Sequence, residues 1–320
     1  MNLAVLRLSV IALALAAFAA VPSSAAEKLR VGKAVPEAFS FVPLDIGIHK
    51  GFFQKYGIEA ESIAFAGDAK MQQAMASDSI ELALGSGPAM AFIVKGAPVK
   101  AIAAMAGPPL LLTLVVRRDD DTLKTPADLK GKRVSVSTAG SLTYWLVSET
   151  SRQQGWGPNG IVISPMGATA PQIAALKRKE IDGMVTDIST ALTLERDGGM
   201  RILMRFGDLV KDFHIHVIFA TNKAIAERPE PLRNFLKGWF ETIAFMRQNK
   251  AETVAIAKDV INKDAEITAE TYDALMPMFS DTGHFDQKAL GVLAKSYVEL
   301  KLLDSEPDPK QLTTEALLPK

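Results

Sequence analysis

Short apolar runs and amphipathic stretches take turns along the chain, with glycines between them. LRVGKA has the alternation of a strand, and PLDIGIHKGFFQKYG has helical spacing closed by Gly57. IEAESIAFAG predicts a strand, AKMQQAMAS a short helix behind Asp68, and IELALGSG another strand. PAMAFIVKG predicts a helix with Pro88 in its first turn, and VKAIAAMAG a further strand. Strands alternating with helices in this way predict a parallel α/β architecture.

LLLTLVVRRDD is a continuous apolar strand ending in charges. After the polar connection LKTPADLKGK comes a second α/β series: RVSVST, SLTYWLVSETSRQQG, GIVISPMG, TAPQIAALKRKE, IDGMVTDI, STALTLERDGG and RILMRFG. HIHVIFAT is another apolar strand, and beyond Asn222 the periodicity is helical only. The polar, proline-containing last dozen residues read as a loose tail. Two long apolar strands bracketing a complete α/β unit predict two lobes joined by two crossover strands. The expected division is 27–116 with 217–320 for one lobe and 117–216 for the other, the chain crossing near residues 115–118 and returning near 217–220.

The first 26 residues carry one charge, Arg7, then an apolar run from Leu8 to Ala20 and the small-residue stretch VPSSAA. This is the layout of a cleaved secretory leader, residues 1–26, and the run is shorter than the roughly 20 residues a membrane anchor needs. An exported, periplasmic protein is expected. Its 36 basic and 36 acidic residues balance, which leaves no electrostatic footprint for nucleic acid or an anionic membrane. Cysteine is absent, so disulfides, thiolate metal sites and lipid attachment through a cysteine are excluded.

In open parallel sheets, ligands gather beyond the carboxyl ends of strands. Five loops there are rich in small or polar residues: GKAVPEAFSFVP with Glu37, Phe39, Ser40 and Phe41; AGDAK with Asp68; GSGP with Ser86 and Gly87; STAGSLT with Gly140, Ser141, Leu142 and Thr143; and VTDIST with Asp187. Each has two readings. Asp68 and Ser189 or Thr190 serve as helix N-caps or meet a ligand, and the glycines permit a tight turn or a close approach. The hydroxyls around Ser141 exceed what one cap requires. A helix start stripped of bulk suits an oxyanion held by backbone N–H groups. His214 and His216 share a face if FHIHV is a strand. They lack a third metal ligand nearby in sequence, and His214 beside the hinge is a candidate ligand contact. No nucleophile elbow, HExxH or phosphate-binding loop occurs. No cofactor or metal is expected.

PLDIGIHKGFFQKYGIEAE, GDAKMQQAMASDSIELALGSGPAMAFIVKGAPVKAIA, LKGKRVSVSTAGS and IAALKRKEIDGMVTD together resemble the periplasmic solute-binding proteins of ABC importers. The similar group binds sulfonates, taurine, nitrate and thiamine precursors, and the likeness runs from about Leu29 to about Gly207. It implies a two-lobed Venus-flytrap fold of type II with a C-terminal helical region, an inner-membrane permease as partner, and a monomer. It also implies ligand contacts at Ser40, Phe41, Asp68, Ser86, Gly87, Gly140, Ser141, Leu142, Thr143 and Asp187, with an organic anion such as a sulfonate or carboxylate as the expected solute. An exported enzyme of the thiamine-pyrimidine-synthase-like branch and a sensory binding protein remain alternatives. The lack of cysteine departs from the enzymatic branch.

Overall fold

The computed structural model describes residues 26–320; the expected leader lies outside them but for Ala26. Ten strands form two five-stranded sheets. β1 (Glu27–Lys33), β2 (Ile58–Ala64), β3 (Leu82–Ser86), β4 (Val99–Ala106) and β10 (His216–Thr221) make the first, in the order β2-β1-β3-β10-β4. β5 (Leu112–Arg117), β6 (Arg133–Val136), β7 (Val162–Pro165), β8 (Gly183–Asp187) and β9 (Met200–Arg205) make the second, in the order β7-β6-β8-β5-β9. Every strand falls in a segment whose apolar pattern predicts one.

Each sheet is parallel except for one strand: β10 runs antiparallel to β3 and β4, and β5 antiparallel to β8 and β9. These are the two strands by which the chain enters a sheet from the other half. A strand arriving across the carboxyl-end edge must run against the strands that end there, so the reversal follows from the crossover. β5 lies wholly within the second sheet, so the outward passage runs through residues 107–111, ahead of the expected 115–118. The return runs through residues 210–215.

The predicted first helix divides at Gly51, which takes φ +75° and donates to the carbonyls of Gly47 and Ile48. Helices Val42–Lys50 and Phe52–Lys55 result. Helix Pro229–Gln248 packs on both, burying Phe235, Leu236, Trp239 and Ile243, with Phe235 stacked on Phe53 at 4.8 Å between ring centroids. Helix Ala265–Leu275 leaves this pattern and lies against Ile188–Arg196 of the second half.

The C-terminal stretch is not the loose tail its polarity suggests. Thr314 N–H donates to the Ala101 carbonyl at 2.9 Å along β4, and Leu312, Leu317 and Leu318 are buried. Three leucines outweigh the intervening polar residues, because each buried Leu contributes about 1.5–3 kcal/mol. Deleting residues 309–320 is therefore expected to lower unfolding free energy by on the order of 5 kcal/mol. Chemical denaturation of the truncated chain checks this, and an unchanged midpoint would show that the tail contributes nothing.

Candidate functional site

Between the segment after the carboxyl end of β1 and that after the carboxyl end of β8 lies a cavity of about 310 Å³. From the first half it is lined by Val35, Glu37, Ala38 and Phe39 after β1, by His216 at the start of β10, by Ile261, Asn262 and Lys263 in the turn after helix Lys250–Val260, and by Thr271 and Leu275 of helix Ala265–Leu275. From the second half come Leu111 on the outward passage and Asp187, Ile188, Ser189 and Thr190 at the end of β8. A more open hollow beside Arg117, Lys177 and Lys179 is built by the second half alone.

Why the chain folds this way is local. Asp187 is extended, with φ −70° and ψ 155°, and its Oδ1 accepts from Thr190 N–H at 3.0 Å and from the Ser189 hydroxyl at 2.6 Å. That is an N-cap of Ile188–Arg196, and it leaves Oδ2 without a protein partner among the described residues. His216 is 8% exposed, with its ring edge-on to Phe41 at 4.8 Å between centroids. Its Nδ1 has no hydrogen-bond partner, and burial pulls the imidazole down to about 3, so it is neutral at physiological pH. Thr271 is fully buried, and its hydroxyl also lacks a partner. Thr268 on the same helix bonds the Asp264 carbonyl at 2.7 Å. Buried polar atoms left alone are costly, and both of these belong to residues that line the cavity.

Among the residues expected to meet ligand, Asp187 lines this cavity. Phe41 and Ser40 stand behind it: Phe41 is fully buried against His216, and Ser40 is fully buried with an unpartnered hydroxyl. Asp68 and Ser86 satisfy each other, the Asp68 carboxylate accepting from Ser86 N–H at 3.0 Å and from its hydroxyl at 2.8 Å. Burial of the carboxylate pushes the Asp68 pKa up against those two bonds. Gly87 donates to the Ile215 carbonyl at 3.0 Å, and its own carbonyl accepts from the Tyr297 hydroxyl at 3.0 Å. A Cβ at Gly87 would stand 1.9 Å from the His214 carbonyl oxygen, so the close approach is to the chain's own backbone.

The hydroxyls of Ser137, Ser141 and Thr143 bond to one another. The Ser141 hydroxyl donates to the Thr138 carbonyl at 2.8 Å and accepts from Tyr144 N–H at 3.2 Å, capping Leu142–Gln153. Thr143 Oγ1 lies 2.9 Å from the hydroxyls of both Ser137 and Ser141. Gly140 makes the turn at φ +74° and lies beside the Leu300 carbonyl, and neither it, Ser141, Leu142 nor Thr143 lines the cavity. His214 turns away to accept from Asp286 N–H at 3.0 Å, edge-on to Phe285. His216, two residues on, takes the cavity position. Glu37 lies in one of the candidate loops, whereas the sequence singles out His216 only as a possible metal partner of His214. Thr271 and Lys263 carried no signal, because helical periodicity says nothing about which helix crosses to the other half. Among the described residues no group of three or more His, Asp or Glu is placed to hold a metal ion, and no helix is long and apolar enough to cross a membrane.

Two mixed α/β sheets facing across a ligand-sized cavity, with two passages between them, define the two-lobed fold of the periplasmic binding proteins. The aliphatic sulphonate binding protein SsuA of Escherichia coli has this fold, at 20% identity over 89% of this chain and 91% of that one, with a TM-score of 0.75. The alkanesulfonate-binding protein of Xanthomonas axonopodis pv. citri, solved with MOPS, matches at 18% identity, 90% and 98% coverage, and a TM-score of 0.68. Residues 38–253 match the family model described as NMT1/THI5 like, and the chain belongs to that family. A putative thiamine biosynthesis protein of Haemophilus influenzae is 33% identical over 92 residues, a match spanning 28% of this chain and 29% of that relative.

His216 sets a pH dependence. The folded state keeps the imidazole neutral down to about pH 3, whereas the unfolded chain takes up a proton near pH 6.5. Its contribution is complete above the unfolded value and falls as pH drops from 6.5 toward 3, by about 1.4 kcal/mol per pH unit. The unfolding free energy of the natural protein minus that of His216→Gln should therefore shrink across that interval. A difference that stays constant with pH would refute it.

Proposed function

We propose that this protein is an extracytoplasmic solute-binding protein that captures a small organic molecule between its two halves and delivers it to an ABC-type importer. The observation that carries this reading is the cavity itself: both halves line it, and it holds the unpartnered, buried polar atoms of His216 and Thr271. A ligand that satisfies them while touching Asp187 across the cleft interacts with both halves only when they are together, and so favours the closed state. The sulfonate-binding proteins with this fold, the family membership and the expected leader support export and delivery.

Holding, rather than turnover, fits the side chains. The desulfurization enzyme DszB shares the fold at 14% identity and a TM-score of 0.65, covering 91% of this chain and 97% of that one. In this cavity the hydroxyl–carboxylate pair Ser189–Asp187 is a helix cap, and no hydrogen bond joins His216 to either residue. A nucleophile activated by an adjacent base has no counterpart in that arrangement.

The test begins with the exported protein purified without denaturation and examined by native mass spectrometry for a bound small molecule. Titrating the recovered compound back should show tight binding that weakens at least tenfold in a His216→Ala, Thr271→Ala double variant. Uptake of the labelled compound should be lost when the chain's gene is deleted. Full affinity in the double variant, or uptake unaffected by the deletion, would each count against the reading.

Polar contacts tie the two halves together. Trp145 Nε1 donates to Glu299 at 2.6 Å beside Arg152, which reaches the same carboxylate at 2.7 Å, and Arg196 pairs with Asp264 at 2.7 Å. Glu299→Ala should raise the radius of gyration of the ligand-free protein in solution scattering, with the recovered ligand restoring the compact value. An identical radius for the variant and the natural protein, both without ligand, would show that this contact does not hold the halves together.

A further inference from the structure

The charge of the cavity differs from what an oxyanion needs. Two carboxylates, Glu37 and Asp187, and one ammonium, Lys263, line it, and the imidazole of His216 is neutral. The helix N-terminus that opens on the cavity, that of Ile188–Arg196, is already occupied by the carboxylate of Asp187, which accepts from Thr190 N–H. The other helix start suited to an anion, Leu142–Gln153, is capped by Ser141 and does not line the cavity. An anion would therefore enter a space of net negative charge in which the helix dipole is taken. What the cavity does offer is acceptors: the free Oδ2 of Asp187, the Glu37 carboxylate, one imidazole nitrogen and the Thr271 hydroxyl. Around them Phe39, Ile188 and Leu275 form apolar walls.

We propose that the ligand is an uncharged or singly cationic organic molecule, a small apolar or aromatic body carrying N–H donors, with one donor meeting the Asp187 carboxylate and a donor–acceptor edge meeting His216 and Thr271. This rests on the solute-binding reading above and names the chemistry of that same site. Sulfonates, nitrate and carboxylates are disfavoured by the same groups that hold the amine.

Ring compounds of matched size give the test: benzylamine, benzamidine and 4-aminopyridine against benzoate and benzenesulfonate. Each is added at millimolar concentration to the ligand-free exported protein and followed by thermal shift and calorimetry. The amine, amidine and aminopyridine are expected to raise the melting temperature, and the two anions to leave it unchanged. Asp187→Asn keeps a side chain able to cap the helix, and it should weaken the best of the three at least tenfold. Glu37→Gln should weaken it less. Stabilisation by the anions alone, or unchanged amine affinity in Asp187→Asn, would overturn the charge assignment while leaving a solute-binding protein. If no probe of either charge binds and the protein as purified carries no small molecule, both readings fall together.

Discussion

β10, held antiparallel between β3 and β4, is the constraint on which the cleft depends. Its first residue, His216, pairs with Ser86 on one side and Ala106 on the other, at the carboxyl ends of both neighbours. The segment leading into it is fastened by Ile215 and Gly87, so closely that only glycine leaves room for the His214 carbonyl. The Asp68–Ser86 bonds and the Tyr297 hydroxyl on the Gly87 carbonyl brace the same corner. Small residues and a desolvated carboxylate at a strand end thus serve to set one imidazole at the cavity, with Phe41 packed behind it.

The second half meets the first through both polar and apolar contacts. The first half is organised by apolar packing, with aromatic rings between Phe52–Lys55 and Pro229–Gln248. Across the cleft, polar ties stand beside apolar packing: Glu299 meets Trp145 and Arg152, and Arg196 meets Asp264, whose carboxyl that guanidinium pulls down to about 2, while Ile188 and Trp145 belong to the same buried apolar cluster as Leu275 and Leu300. The exposed Arg196–Asp264 pair contributes little, because water and salt screen it.

Fold and chemistry are set at different places in this molecule. The overall fold is shared with proteins named for sulfonates, at identities of 20% or less. The cavity's character comes from a few side chains on strand-end loops and on helices added at the C-terminus. A scaffold of this sort accepts new ligands by exchanging those residues while its core stays intact. Asp187 shows how: one carboxylate oxygen keeps the helix cap, and the other is left for the cleft.

Strand positions, the helical C-terminal region and the family were legible from the sequence, because apolar period and glycine placement are local properties that survive folding unchanged. Five strand-end loops could be named for the same reason. Which of their polar groups remain free was not legible. Ser141 and Thr143 read as ligand contacts, yet their hydroxyls bond within the loop, and Asp68 is met by Ser86, 18 residues away. His214 and His216 are equivalent in the sequence, and only the packing of Phe285 and Asp286 on one and Phe41 on the other separates them. Thr271 reaches the cavity because its helix crosses to the second half, and the buried leucines of the tail find β4 at a comparable remove. A hydrogen bond is satisfied by whatever atom arrives in space, and the order of residues along the chain does not say which atom that is.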